Sequence, residues 1–208
     1  MSVPHIGIDL DNTIIDYEHV FAPTAERLGL LPARSGLTSK ACVKRHLCAH
    51  GGEAAWMRVQ GQTYGRFIGL ATPYPGVGTF LRTVRARGVH VSIVSHKTRH
   101  GHYDPDRIDL WGAALDWLDR HGFFTVEGGG LDPAQVYFET TREAKLARIA
   151  ALGCQIFIDD LAEVLLSPAF PAAVERLWFT GGRAASDGGG LPALRSWADV
   201  LDTVLARL

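Results

Sequence analysis

Val3-Pro4-His5-Ile6-Gly7-Ile8-Asp9-Leu10-Asp11-Asn12-Thr13 is the stretch on which the fold turns. Val3 to Leu10 is a short apolar run with β-branched residues, the pattern of a buried strand. Asp9-Leu10-Asp11-Asn12-Thr13 then makes the chain polar within a few residues. A carboxylate left at the end of a buried strand is costly unless something compensates its charge. The partner has to be sought at the ends of other strands.

Outward from this stretch, Val89 to Val94, Val136 to Phe138 and Cys154 to Ile158 have strand character, and Arg176 to Phe179 is a candidate fifth strand. Helical spacing runs over Val77–Arg87, Asp106–Arg120, Thr141–Leu152 and Leu194–Leu208. Gly88, Gly122 and Gly153 serve as stops, and Thr140 or Thr141 as an N-cap. Strand–helix alternation predicts an α/β fold, a doubly wound parallel sheet covered on both faces. Residues 14–70 read differently. They hold helical patches at Phe21–Leu28, Ser39–His50 and Ala54–Leu70, with no convincing strand. Thr72-Pro73-Tyr74-Pro75-Gly76 is a break, because the prolines force extended geometry. The expectation is a core over 1–15 and 72–208, with a small, mostly helical insertion over 16–71 at the carboxyl edge of the sheet, where such folds bind ligands. Gly128–Gly130 and Gly181–Gly190 read as loops, and there are no internal repeats.

Bulk properties narrow the function classes. The chain has 208 residues, 47% hydrophobic and 21% charged, with a net charge of -1. That is ordinary for a soluble globular protein and argues against disorder. No basic excess favours nucleic acid or an anionic membrane surface. No apolar run approaches the roughly 18 residues of a spanning helix. The start, Met1-Ser2-Val3-Pro4-His5, lacks the basic and apolar regions of a secretory signal. Cys42, Cys48 and Cys154 form no paired framework, so a reducing, cytoplasmic setting is expected.

Four features fall at or near strand ends: Asp9 with Asp11, Ser95, Lys145, and Asp159 with Asp160. In a parallel sheet these ends share one edge, so the set converges. The chemistry suits phosphoryl transfer. An ionised aspartate can attack phosphorus, and a second carboxylate two residues on can protonate the leaving oxygen and then activate water. Clustered carboxylates bind Mg2+ through oxygen, and a serine hydroxyl and a lysine ammonium can hold phosphate oxygens.

Ile6-Gly7-Ile8-Asp9-Leu10-Asp11-Asn12-Thr13 resembles the first motif of the haloacid dehalogenase superfamily. Ser92-Ile93-Val94-Ser95 is similar to its second motif, Lys145 is placed like its third, and Phe157-Ile158-Asp159-Asp160 like its fourth. The resemblance implies Asp9 as nucleophile and Asp11 as general acid/base. It also implies phosphate contact by Ser95 and Lys145. It further implies Mg2+ held by Asp9, Asp11 through its main-chain carbonyl, Asp160, and Asp159 in place of the usual glycine. The insertion 16–71 would be the cap. Relatives that cleave carbon–halogen bonds lack an aspartate at the place of Asp11, since a halide needs no proton. The resemblance therefore implies a phosphatase acting on a small phosphorylated metabolite. A phosphotransferase or phosphomutase on a sugar phosphate shares every residue, and a non-catalytic binding module is the alternative of another class.

Several features carry less. Lys97 rivals Lys145 as the phosphate-site lysine. His96 is a candidate substrate contact. The cationic run His96-Lys97-Thr98-Arg99-His100-Gly101-His102 is a candidate receiver of a second anionic group. Cys42, His46, Cys48 and His50 lack a standard zinc spacing and read as scattered polar residues of a helix. Trp56, Gln60 and Tyr64 recur at helical spacing, which is usually packing. Arg142 and Glu143 read as exposed helix charges or groups behind Lys145.

Overall fold

The apolar run at the N-terminus forms β1 (His5–Ile8), the central strand of a six-stranded sheet. The computed structural model describes residues 3–183 and 188–208; residues 184–187 of the Gly181–Gly190 loop lie outside that range. After β1 come β2 (Ile15–Asp16), α1 (Phe21–Arg27), α2 (Lys40–Tyr64), β3 (Thr72–Pro73), α3 (Val77–Ala86), β4 (His90–His96) and α4 (Leu110–Arg120). The chain continues through β5 (Val136–Glu139), α5 (Arg142–Ala151), β6 (Ile156–Asp159), α6 (Ala162–Leu165), β7 (Glu175–Phe179), β8 (Ala193–Leu194) and α7 (Trp197–Leu205). No described helix is long and apolar enough to cross a membrane.

The chain divides into two compact units. One holds the chain up to Ile14 with Pro73–Lys97 and Leu118–Leu208, and the other holds Ile15–Thr72 with Thr98–Trp117. In the first unit the strand order is β5-β4-β1-β6-β7-β8, every pairing parallel. The chain runs from β1 out to β4 and β5, then returns to build β6, β7 and β8 on the other side. The direction of winding therefore reverses beside β1, and the crevice at such a reversal is where open α/β sheets bind ligands.

Alternation along the strands separates two cores. Gly7 pairs in register with Ser92 and Phe157, so these share one face. On that face Val94, Phe157 and Trp178 pack with Leu146 and Ile149 of α5 and Val164 and Leu165 of α6. On the other face Phe179 meets Trp197 at 5.3 Å and Tyr74 at 5.0 Å between ring centroids, and Phe80 of α3 meets Trp197 at 4.8 Å. Each buried ring contributes about 1.5–3 kcal/mol relative to exposure. Gly7 is required by the first face: a Cβ there would lie 2.6 Å from the Phe157 ring and 2.9 Å from the Cys154 sulfur.

The second unit is helical around one kink. The two patches expected at Ser39–His50 and Ala54–Leu70 join as α2, bent at Gly52, whose φ of 72° only glycine adopts freely. Ser39 caps its start by accepting the Cys42 amide. Phe21 of α1 stacks on Trp56 at 5.2 Å, and Tyr64 meets Tyr17 edge-on at 4.7 Å. The Trp56 and Tyr64 stripe is therefore packed within this unit. Residues 98–117 are clamped to α2. Gln62 donates to Asp104 at 2.6 Å, and a Cβ on Gly101 would lie 2.8 Å from the Gly61 Cα.

Candidate active site

The site is built on the carboxyl ends of β1, β4, β6 and β7. Asp9 follows β1 directly, and its amide donates to the Ile158 carbonyl of the neighbouring strand at 2.9 Å. Its side chain is 8% exposed. One oxygen, Oδ1, accepts from Lys145 Nζ at 2.6 Å; the other accepts from Thr13 Oγ1 at 3.2 Å. Thr13 is itself anchored, because Trp197 Nε1 donates to its carbonyl at 3.1 Å. Asp9 is thus oriented from both sides before any ligand arrives.

Lys145 reaches this point because Thr141 caps α5 through the Ala144 amide and starts the helix just beyond β5. The lysine sits in the first turn, 1% exposed, over the Phe157 ring at 5.3 Å. Its ammonium bridges Asp9 and Asp159, with Asp159 Oδ2 also at 2.6 Å. Burial works against the charge, yet Asp159 and Asp9 outweigh burial and hold the ammonium above the usual lysine range. Asp159, fully buried at the end of β6, also accepts the Leu161 amide at 2.9 Å.

Asp9, Asp159 and Asp160 can each present an oxygen within 4.8 Å of the others. Burial raises the Asp9 pKa well above the usual carboxylate range; Lys145 opposes the rise, and Asp159, Asp160 and Asp11 add to it. An all-oxygen carboxylate set fits a hard cation such as Mg2+. Among the described residues the carboxylates of Asp9, Asp11, Asp159 and Asp160 pair with Lys145, Lys97 and Arg183. A bound cation would offset the mutual repulsion of the three clustered carboxylates.

Lys97 and Lys145 take different partners. Lys97, 4% exposed, places Nζ 3.0 and 2.8 Å from the two carboxylate oxygens of Asp11. The Asp11 carboxylate is engaged there, while the group of three clustered oxygens comes from Asp9, Asp159 and Asp160. Ser95 lies within β4, 1% exposed, and its Oγ has no hydrogen-bond partner among the described residues. A buried hydroxyl without a partner is unusual and expects a ligand or a water. His96, the next residue, turns its ring to the Thr140 carbonyl at 3.3 Å. Further along the cationic run, Arg99 pairs with Asp109 at 3.0 Å and His100 contacts the Ile108 carbonyl at 3.2 Å. Arg142 pairs with Glu163 at 2.6 Å. His46 and His50 stack at 4.3 Å on α2, with Cys48 exposed and Cys42 half-buried.

Arg183 was missed from the sequence. Its Nη2 donates to Asp160 Oδ2 at 3.2 Å and to the Asn12 carbonyl at 3.1 Å, and its Nε donates to the Thr180 carbonyl at 2.9 Å. The signal was present: Thr180-Gly181-Gly182-Arg183 follows β7, at the same sheet edge as the aspartates. Gly181, at φ 58°, turns the chain there.

No protein-family model and no curated protein matches this chain. Solved structures do match in fold. A HAD-superfamily hydrolase from Ehrlichia chaffeensis aligns with TM-score 0.57 and 14% identity over 99% of this chain and 98% of that one. A protein described as a predicted phosphatase from Clostridium acetobutylicum aligns with TM-score 0.63 and 12% identity over 99% and 100%. A protein described as a candidate β-phosphoglucomutase from Thermotoga maritima aligns with TM-score 0.63 and 15% identity over 99% and 100%. The six-stranded parallel sheet flanked by helices is an α/β fold like that of these solved structures.

Proposed function

We propose that the chain is a Mg2+-dependent phosphatase that hydrolyses a small-molecule phosphomonoester through an aspartyl-phosphate on Asp9. The observation that supports this most is the pairing of two pre-set aspartates. Asp9 is held by Lys145 and Thr13, and Asp11, two residues on, is held by Lys97.

In this reading Asp9 attacks phosphorus, and the bond from phosphorus to the ester oxygen breaks. Asp11 gives its proton to that departing oxygen, producing the alcohol. Water then attacks the phosphorus of the aspartyl-phosphate while Asp11 takes its proton. The bond to the Asp9 oxygen breaks, and inorganic phosphate leaves. Ser95 Oγ donates to a phosphate oxygen, which supplies the partner it lacks. Lys145 keeps Asp9 aimed and stabilises charge developing on the phosphoryl group. Mg2+ held by Asp9, Asp159 and Asp160 would offset the repulsion among these carboxylates, favour the ionised form of Asp9 and screen it from the incoming phosphate. Substrate choice is assigned to the helical segment 16–71. The free thiols of Cys42, Cys48 and Cys154 support a reducing compartment such as the cytoplasm.

The test is release of phosphate from p-nitrophenyl phosphate with Mg2+, in the wild type and in Asp9→Asn. The expected outcome is turnover that needs the cation and is abolished in the variant. Turnover surviving in Asp9→Asn would refute the aspartyl-phosphate route, and no turnover on any phosphomonoester of a metabolite panel would favour a binding module. The fold likeness to the Thermotoga maritima protein supports one second reading, a phosphomutase. Isotopically labelled sugar phosphate separates the two, since a mutase returns an isomeric phosphate ester instead of inorganic phosphate.

A further inference from the structure

We infer that Arg183 is a positioning residue for the divalent-cation site, fixing Asp160 and the loop after β1 in their cation-ready arrangement. This rests on the reading that Asp9, Asp159 and Asp160 hold Mg2+. One nitrogen, Nη2, carries two N–H groups, and both are committed: one to the Asp160 carboxylate at 3.2 Å, the other to the Asn12 carbonyl at 3.1 Å. Nε is committed to the Thr180 carbonyl at 2.9 Å. A single guanidinium thus ties together the segments that follow β1, β6 and β7.

Three further observations separate this from an ordinary ion pair. Asp160 is held at its other end as well, because Trp178 Nε1 donates to its main-chain carbonyl at 3.1 Å. Its carboxylate is only 7% exposed, so the pair is largely withdrawn from water and is not screened as surface pairs are. Asn12 sits at φ 60°, a left-handed conformation that costs a non-glycine residue free energy unless its surroundings hold it. Arg183 supplies that hold by capturing the Asn12 carbonyl. The turn at Asn12 lies between Asp11 and Thr13, so the same contact sets the segment that carries the acid/base and the partner of Asp9. A lysine keeps the charge but lacks the planar fork that reaches two acceptors in fixed geometry.

The test is direct titration of Mn2+ into the whole chain, read by the electron paramagnetic resonance of free Mn2+, for wild type, Arg183→Ala and Arg183→Lys. Partners that orient metal ligands typically contribute about ten- to a hundredfold in affinity. Both variants are expected to bind Mn2+ about ten- to a hundredfold more weakly than wild type. Excess Mg2+ should restore kcat on p-nitrophenyl phosphate, with KM for the ester unchanged. A merely structural role would lower kcat at every cation concentration. Unfolding temperatures measured in chelator show that the folded state is being compared, and Arg183→Lys carries the test if Arg183→Ala does not fold. Wild-type affinity in Arg183→Lys, or a kcat deficit that excess Mg2+ does not repair, would overturn the inference alone. A wild-type chain that binds no Mn2+ would overturn the inference together with the cation reading beneath it.

Discussion

The two edges of the sheet solve the same problem, burying polar groups, in opposite ways. Ser92 and Ser95 lie three residues apart on β4, and both are buried. Ser92 Oγ donates to Gln135 Oε1 at 2.9 Å and is 2.8 Å from His5 Nε2, while His5 Nδ1 donates to the Leu152 carbonyl at 2.9 Å. Tyr137 joins by donating to Gln135 Oε1 at 3.3 Å. Towards the amino edge, then, the buried Ser92 hydroxyl has partners within the protein. At the carboxyl edge Ser95 Oγ has no partner among the described residues, and three carboxylates cluster within 4.8 Å of one another. A satisfied network holds the fold; an unsatisfied one spends stability on a site that is completed by a ligand. Burial alone does not tell them apart, because Ser92 and Ser95 are equally hidden.

This contrast can be broken or sharpened by experiment. The largest effect is expected at Lys145. Lys145→Ala leaves Asp9 and Asp159 without their shared cation, and removing one partner of a buried ion pair costs about 3–5 kcal/mol. Denaturant unfolding without metal should show that loss, and turnover should fall with it. Near-normal turnover in Lys145→Ala beside an inactive Lys97→Ala would move the phosphate-site role to Lys97. Next comes Ser92→Ala, which removes the donor to Gln135 and the hydroxyl beside His5 Nε2. A loss of about 1–3 kcal/mol is expected, with kcat retained by the folded fraction. Ser95→Ala should behave in the reverse sense. Stability should stay within about 0.5 kcal/mol, since no hydrogen bond is removed, while kcat/KM falls. Equal destabilisation by the two serine variants would erase the contrast between the edges.

The smallest effect concerns pH. Burial lowers the His5 pKa from its ordinary 6.5, with the Leu152 carbonyl opposing and His90 adding to the fall. The unfolded chain therefore binds more protons than the folded one between 6.5 and the lower folded value. Stability contributed by neutral His5 is present above that window and is lost as pH falls through it. His5→Gln should flatten this part of the stability–pH curve; an unchanged slope would show that another group causes it.

The edge that carries the site was legible because a parallel sheet obliges strand ends to share one edge. Asp9, Lys145, Asp159 and Asp160 were placed by that rule and meet within it. Less was legible where elements are short or where reach matters more than order. The two-residue strands β2 and β8 carry too few residues for an alternation signal. The joining of two helical patches across Gly52 depends on a single φ value. The pairing of Lys97 with Asp11 spans 86 residues, and that of Arg183 with Asp160 spans 23; no local pattern encodes either. The grouping of 98–117 with the helical segment follows from the Gly61–Gly101 approach and the Gln62–Asp104 bond, both between residues distant in sequence.

Residue order alone, then, specified the α/β rhythm, the chemistry-bearing types and the sheet edge they occupy, because periodicity and strand direction are local properties. Packing in three dimensions decided which lysine holds which aspartate, that Arg183 joins them, and that Ser95 is left unsatisfied while Ser92 is not. Those outcomes depend on distances of a few ångströms between side chains far apart in the chain, and such distances exist only once the strands are assembled.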